Sequence, residues 1–175
     1  MNATEKIRAG RNRTLVLTDE DKTKLREKLI TDKTNLLSHK FEYLDKTINA
    51  DLLTALPLLP DEFADLIIID PPYNLTKNFG GKVFNERKDS AYEEYLETWF
   101  SSVCKKLKSN GSLYLCGDWK CTAALQRVME KELTVLNRIT WQREKGRGAK
   151  ANWKNGMEDI WFGVKDPDSY YFNLD

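Results

Sequence analysis

The residues whose types and spacing are best suited to carry chemistry are Asp70-Pro71-Pro72-Tyr73, which directly follow the apolar run 66–69. That run is short, β-branched and without period-2 alternation, which predicts a strand buried on both faces. Proline has a fixed φ and no N–H donor, so the four residues should form a stiff loop beyond the strand's carboxyl end. Open α/β sheets bind ligands at that end. A carboxylate, a carbonyl acceptor and an aromatic face together suit a flat ring that bears an exocyclic amine.

Strands and helices alternate along the rest of the chain, which predicts an α/β sheet with helices on both faces. The clearest helix spans 92–107, with its apolar residues on one side, and a second buried strand spans 112–116. A turn at Gly117-Asp118-Trp119 ends that strand. Segment 77–89 is basic, contains glycine and lacks a period, so we expect a mobile surface loop there. Other predicted elements are a helix opening at Thr18, a strand and short helix within 41–57, a helix over 122–133, and strands over 138–141 and 159–164.

Composition narrows the function classes. The 175 residues fit one domain. The sequence shows no apolar stretch long enough to span a membrane and no signal peptide, so we expect neither a membrane protein nor a secreted one. Three cysteines without Cys-x-x-Cys spacing predict reduced thiols in the cytoplasm. His39 is the sole histidine, which excludes a multi-histidine metal site, and we expect no metal. With 28 basic and 27 acidic residues, any nucleic-acid binding must come from local patches.

Two basic segments follow the tetrapeptide in the chain and are candidates for contacts with DNA phosphates, although solvated surface charge is the alternative. The first contains Lys77, Lys82, Arg87 and Lys88, and the second contains Arg143, Lys145, Arg147 and Lys150. Residues 1–14 are also basic; we favour a solvated tail, and a basic arm that touches phosphates is the alternative. The predicted organisation is an arm and helix over 1–32, followed by one catalytic part over 33–175.

Asp70-Pro71-Pro72-Tyr73 resembles motif IV of the amino-methyltransferases, S-adenosylmethionine-dependent enzymes that methylate adenine N6 or cytosine N4 in DNA. Further elements, each weak alone, follow the order of the β-type members of that family. They are Asn49-Ala50-Asp51-Leu52, Tyr92-Glu93-Glu94-Tyr95-Leu96, Leu107-Lys108-Ser109-Asn110-Gly111-Ser112-Leu113, Ile139-Thr140-Trp141-Gln142-Arg143 and Glu158-Asp159-Ile160-Trp161-Phe162. The resemblance covers nearly the whole chain after Phe41.

The resemblance implies a Rossmann-like S-adenosylmethionine-dependent methyltransferase fold and double-stranded DNA as the substrate. It implies that Asp70 and the Pro71 carbonyl accept the amine hydrogens, and that Tyr73 stacks on a flipped base. Asp51 resembles an acid that contacts the cofactor, as Asp70 also does. The alternatives are a turn cap for Asp70, a core aromatic for Tyr73 and a helix cap for Asp51. A bare Pro-Pro-Tyr can also be a ligand for small proline-binding domains.

Two family elements do not occur in this sequence: a Thr-x-Lys-Pro helix entry and the Phe-x-Gly-x-Gly loop that cradles the methionine part of the cofactor. We therefore expect an incomplete fold, completed by a carboxyl-terminal segment, a partner subunit or self-association. The favoured function is site-specific adenine-N6 methylation in a bacterial or phage-encoded system. Cytosine-N4 methylation, a non-catalytic DNA-binding subunit, and methylation of RNA or a protein glutamine are the alternatives.

Overall fold

The computed structural model describes residues 16–31, 43–147, 153 and 155–173, and the chain divides into two units after Asp51. In the first unit, helix α1 (Asp19–Arg26) begins at the predicted Thr18, whose hydroxyl accepts from the Asp21 N–H in a capping box. Strands β1 (Leu29–Ile30) and β2 (Thr47–Ile48) pair in parallel. The predicted boundary between residues 32 and 33 lies outside the described residues.

The second unit is built on a four-stranded sheet. Its strands are β3 (Ala64–Ile69), β6 (Leu107–Asp118), β7 (Thr134–Arg147) and β8 (Asn155–Val164), in the order β3-β6-β8-β7. β3 and β6 are parallel, and β8 is antiparallel to both β6 and β7. The carboxyl ends of β3 and β6 therefore lie at the same edge of the sheet.

Two helices cover one face of this sheet. Before β3, a short helix α2 (Leu52–Ala55) leads into a 3₁₀ turn (Leu56–Leu58). The two helices that cover the sheet come later in the chain and are α3 (Asp89–Cys104) and α4 (Thr122–Glu130). Helical spacing buries one side of α3, including Tyr92, Leu96, Trp99, Phe100 and Val103. α4 lies so close to β6 that a Cβ on Gly117 would meet Leu125 Cδ1 at 2.1 Å. Glycine at this position therefore permits the helix–sheet contact.

Aromatic rings cover part of the opposite face. The rings of Tyr114 and Phe162 stack with centroids 4.8 Å apart, and the rings of Tyr170 and Phe172 lie about them. On β3, however, Leu66 is 52% exposed and Ile68 is 68% exposed. The prediction of a strand buried on both faces is therefore wrong for β3 in this chain, because α3 and α4 cover only the side of Ile67 and Ile69.

The segment that was expected to be a mobile loop contains a β-hairpin. β4 (Lys77–Phe79) and β5 (Lys82–Phe84) pair antiparallel, and Phe79 is the register partner of Lys82. Gly80 and Gly81 form the two-residue turn, with φ of 60° and 100°. These angles are those of a type I′ turn, which requires positive φ at both central residues, a conformation that glycine adopts without strain.

Candidate active site

The four candidate catalytic residues lie at the carboxyl end of β3, as predicted. Asp70 follows the last strand residue and is exposed, whereas Pro71 is buried. Pro72 and Tyr73 are half-buried, and Tyr73 packs against the core beneath α3 and α4. The loop is thus anchored at its prolines and presents the Asp70 carboxylate to solvent.

Side chains outside the tetrapeptide fix this loop. The hydroxyl of the fully buried Tyr92 donates to the Pro72 carbonyl oxygen at 3.0 Å. The buried Asn74 donates through Nδ2 to the Arg87 carbonyl at 2.8 Å, and its Oδ1 accepts from the Arg87 N–H at 2.8 Å. Sequence reasoning assigned no role to Asn74 and treated Tyr92 as part of an apolar helix face. These three hydrogen bonds join residues that are 13 or 20 positions apart in the chain, a distance that no local sequence pattern indicates.

The charges around Asp70 change the acidity of its neighbours. Burial raises the pKa of the Tyr73 hydroxyl, and the adjacent Asp70 carboxylate raises it further, while the Arg143 guanidinium opposes this effect. Burial, followed by the Asp70 charge, also raises the pKa of the Cys116 thiol. Asp70, Tyr73, Cys116 and Arg143 therefore form one electrostatic neighbourhood, in which Tyr73 stays a neutral phenol at physiological pH.

A row of polar and aromatic residues crosses the same edge of the sheet on β6, β8 and β7. Glu158 is the register partner of both Asp118 and Trp141, and it forms an ion pair with Arg143. The Trp141 side chain is 60% exposed. Asp118 accepts from the Lys120 N–H at 3.0 Å, which makes it the cap of the turn after β6.

The candidate DNA-contacting residues are dispersed in the structure. Lys77 and Lys82 lie exposed on the two hairpin strands, and Lys88 is the exposed N-cap residue of α3. The Arg87 guanidinium lies over the rings of Phe84 and Tyr95, 5.2 and 4.8 Å from their centroids. Lys145 and Arg147 belong to β7, but their side chains lie outside the described part, as does the whole of Lys150.

Two residues were predicted to contact S-adenosylmethionine. The first, Asp70, is exposed at the carboxyl end of β3, and its assignment to the cofactor remains a prediction; no Phe-x-Gly-x-Gly loop occurs in the sequence. Asp51 is an exposed residue of the first unit, and its assignment to the cofactor remains a prediction. Among the described residues, no three histidine, cysteine, aspartate or glutamate side chains are grouped closely enough to hold a metal ion. Nor does any helix in the described ranges have the length and apolarity to cross a membrane.

Comparison with known sequences decides the family. A family model described as DNA methylase matches residues 64–175, which begin at β3 and include every element of the sheet. The chain belongs to this DNA methylase family. Its sequence is that of a β-type DNA amino-methyltransferase. It is 33% identical over 129 residues to the DNA adenine methyltransferase YhdJ of Escherichia coli (strain K12). It is 30% identical over 132 residues to the type II methyltransferase M.HpaI of Haemophilus parainfluenzae.

These alignments cover much of this DNA methylase chain but less than half of each relative. They span 73% of this chain and 44% of YhdJ, and 74% of this chain and 42% of M.HpaI. The chain therefore matches less than half the length of these curated relatives.

Solved structures share the fold. The cytosine-N4-specific PvuII DNA methyltransferase aligns with a TM-score of 0.56 at 18% identity, over 69% of this chain and 49% of its own. A candidate DNA modification methylase from Thermus thermophilus, solved with S-adenosyl-L-methionine, aligns with a TM-score of 0.53 at 20% identity, over 71% of this chain and 54% of its own. The mixed α/β fold expected from sequence is thus confirmed as that of S-adenosylmethionine-dependent DNA methyltransferases.

Proposed function

We propose that this chain carries the catalytic loop of a site-specific DNA adenine-N6 methyltransferase. The observation that supports this most strongly is the rigid Asp70–Tyr73 loop at the carboxyl end of β3, with its carboxylate exposed and its backbone anchored by Tyr92. The tetrapeptide offers the Asp70 carboxylate and a proline carbonyl as hydrogen-bond acceptors, which are the groups that methylation of an amine needs.

The proposed chemistry uses hydrogen-bond acceptors rather than a strong base. The exocyclic amine of adenine is a poor nucleophile because its lone pair is delocalised into the ring. When Asp70 and the Pro71 carbonyl accept its two N–H groups, the lone pair turns out of the ring plane toward the methyl donor. S-adenosylmethionine, when bound, supplies an electrophilic methyl group. The Asp70 carboxylate then stabilises the positive charge that develops on the nitrogen.

Tyr73 is proposed to hold the base, which must leave the duplex before its amine can reach Asp70. Its phenol is half-buried, neutral and packed against the core, so the ring orientation is constrained before any base arrives. A constrained ring lowers the entropy cost of aligning the amine for in-line transfer.

DNA phosphates are proposed to contact the exposed lysines of the hairpin, Lys77 and Lys82, together with Lys88. Arg143 lies nearer the base site, because its charge acts on Tyr73 while its guanidinium pairs with Glu158. Lys145, Arg147 and Lys150 remain sequence-based candidates. Arg87 is the weakest candidate, since its guanidinium already lies over two aromatic rings. DNA as substrate implies a cytoplasmic enzyme.

Completion of the cofactor site is proposed to come from a further segment, a partner subunit or a second copy of this chain. Of the described strands, β3 pairs with β6 alone, so its other edge offers N–H and C=O groups to another strand. The exposed Leu66 and Ile68 beside that edge would be covered by the same addition.

The decisive experiment is methyl transfer from tritiated S-adenosylmethionine to duplex DNA, with the chain assembled with its completing segment or subunit. Asp70→Ala is expected to reduce turnover about a hundredfold or more, because it removes one preorganised electrostatic group. DNA binding and the unfolding midpoint should stay near the wild-type values. Near-normal turnover in the variant would remove Asp70 from the mechanism.

The nature of the methylated base is tested separately by digestion of the product DNA to nucleosides and mass spectrometry. N6-methyladenine is the expected product. N4-methylcytosine would instead assign the same loop to cytosine. If an assembled, DNA-bound protein yielded no methylated nucleoside, the result would favour a non-catalytic DNA-binding subunit.

A further inference from the structure

We propose that Tyr92 is a positioning residue for methyl transfer, acting on the catalytic loop through the Pro72 carbonyl with support from Cys121 and Asn74. This inference rests on the proposed function, which it extends to a residue outside the tetrapeptide. Tyr92 lies on α3, on the core side of the loop, and is not expected to touch the base.

The first support is the nature of the bond itself. Tyr92 is 0% exposed, and its hydroxyl donates to the Pro72 carbonyl oxygen at 3.0 Å. A phenol in the core must satisfy its hydroxyl, and here the acceptor belongs to the catalytic tetrapeptide. Burial is also the main reason that the pKa of this hydroxyl is raised, so Tyr92 remains a hydrogen-bond donor over the working pH range.

The second support is the limited freedom of the loop. The φ angles of Pro71 and Pro72 are fixed by their rings, and the peptide bonds are planar, so ψ is the main free torsion at each. Fixing the direction of the Pro72 carbonyl fixes ψ of Pro72. That torsion sets the orientation of the next peptide bond and of the Tyr73 side chain, and hence where the Tyr73 ring lies relative to Asp70.

The third support is a buried polar cluster beneath the loop. The Cys121 thiol, at the N-cap of α4, donates to the Asp118 carbonyl at 3.2 Å, and its pKa, which burial raises, is lowered in part by the Asn74 backbone and the Tyr92 hydroxyl. The Asn74 side chain in turn holds both backbone groups of Arg87. Polar groups of the two helices and of the loop are therefore buried together beneath the tetrapeptide, and Tyr92 is the group that hydrogen-bonds the tetrapeptide directly.

The test compares Tyr92→Phe with Tyr170→Phe. Both variants remove one hydroxyl and keep the ring, but Tyr170 lies on the opposite face of the sheet, 6.1 Å from the Phe162 ring. Amide hydrogen exchange of the 175-residue chain is measured at Asn74, Leu75 and Arg87. We expect exchange at these amides to be about three- to tenfold faster in Tyr92→Phe than in the control, as for loss of one hydrogen bond. Cys121→Ala provides a second perturbation of the same cluster, with acceleration at Asn74 expected.

Steady-state kinetics of the assembled enzyme supply the functional readout. For Tyr92→Phe we expect kcat to fall roughly tenfold or more from misalignment of the reacting groups, with KM for DNA and for S-adenosylmethionine unchanged. Equal exchange in Tyr92→Phe and the control, or faster exchange with an unchanged kcat, would overturn the proposal. A wild-type protein without methyl transfer would refute the proposed function, while the exchange data would still decide whether Tyr92 orders the loop.

Discussion

Asp70 and Pro71 are adjacent residues with opposite exposure, and this contrast is what makes the loop chemically useful. A buried proline fixes the backbone, whereas the exposed carboxylate next to it can accept a ligand's hydrogens. The place of the loop follows from the sequence, because two prolines after an apolar run cannot continue the hydrogen-bond ladder of the strand. The effect of the Asp70 carboxylate on the pKa of the Tyr73 hydroxyl was not predicted, since it depends on how the loop is folded.

Substitutions at Tyr73 separate the role of the ring from that of the hydroxyl. Stacking on a base needs a π-face, so Tyr73→Phe and Tyr73→Trp should retain much more turnover than Tyr73→Ala. The loss in Tyr73→Ala should correspond to roughly 1–3 kcal/mol in transition-state stabilisation. The kcat/KM values of the three variants give the comparison. If Tyr73→Phe is as damaging as Tyr73→Ala, the contact between hydroxyl and Asp70 carboxylate matters more than stacking.

At the scale of elements, the β4–β5 hairpin projects two exposed lysines from a chain segment that begins directly after the catalytic loop. Its base is tied by the Glu86 N–H, which donates to the Thr76 hydroxyl at 3.0 Å, and by the bonds between Asn74 and Arg87. The hairpin and the loop are therefore joined by short, hydrogen-bonded connections, and a DNA contact on one would help to place the other.

Replacement of both hairpin lysines, Lys77→Ala with Lys82→Ala, should weaken DNA binding to all sequences alike. The slope of log affinity against log salt should become shallower by roughly 0.9 for each phosphate that the variant no longer neutralises. Fluorescence anisotropy over a salt series measures this slope. A double replacement of Lys105, the C-cap residue of α3, and Lys108, near the amino end of β6, is the control. Equal slopes in the two double variants would exclude the hairpin from the DNA interface.

The packing of α3 against α4 includes a polar connection with a defined pH dependence. Arg127 Nε lies 2.7 Å from Glu93 Oε2, and Lys131 also contacts Glu93 and Glu97. The hydrogen bond from Arg127 is the main reason that the pKa of Glu93 is lowered from its ordinary 4.5. A lowered folded-state pKa stabilises the fold above pH 4.5, and this contribution is lost as the pH falls through the folded-state value.

Glu93→Gln should therefore lower the free energy of unfolding at pH 7 by less than about 1 kcal/mol, because the pair is near the surface. The difference from wild type should shrink as the pH is lowered below 4.5. Urea unfolding at pH 7, 5, 4 and 3 tests this. Glu94→Gln, on the same helix, is the control. A difference that grows at low pH would contradict the assignment.

The elements that the sequence predicted well are those with a clear apolar pattern. The run before Asp70 is β3, and the apolar face of 92–107 corresponds to α3, although the helix ends at Cys104. β6 begins at Leu107 and continues through Lys108 and Asn110, where polar side chains hid the strand. Its register with β3 shifts there, since Leu107 pairs with Ala64 and the next pair is Ser112 with Leu66. The hairpin was missed because its charges dominate the pattern, even though Gly80-Gly81 is a two-residue turn signal.

At the scale of the whole molecule, the described helices and aromatic rings leave two large apolar side chains of β3, Leu66 and Ile68, exposed. The apolar run predicted that Leu66 and Ile68 are buried, but it could not identify the segment that covers them, because hydrophobicity carries no information about the partner. The same exposed edge lies beside the catalytic loop, so completing the sheet and completing the site are expected to be one event.

The 175-residue chain alone should self-associate as its concentration rises, or should co-purify with a partner that covers β3. Ile68→Lys should reduce this self-association, because a charge on an exposed strand edge opposes pairing with another strand. Sedimentation velocity over a wide concentration range measures the effect. Val83→Lys, on the exposed hairpin, is the control. A wild-type monomer at all concentrations would show that β3 needs no cover.

The mixed direction of the strands has a consequence for the order in which the chain folds. Register partners of β7 and β8, such as Ile139 and Ile160, are close in sequence, whereas Ile68 of β3 and Tyr114 of β6 are separated by the hairpin and all of α3. Local pairs close rapidly, and parallel pairs across a long connection close slowly. We therefore expect β7 and β8 to form early and β3 to join late. The loop that follows β3 would then reach its final geometry only at the end of folding.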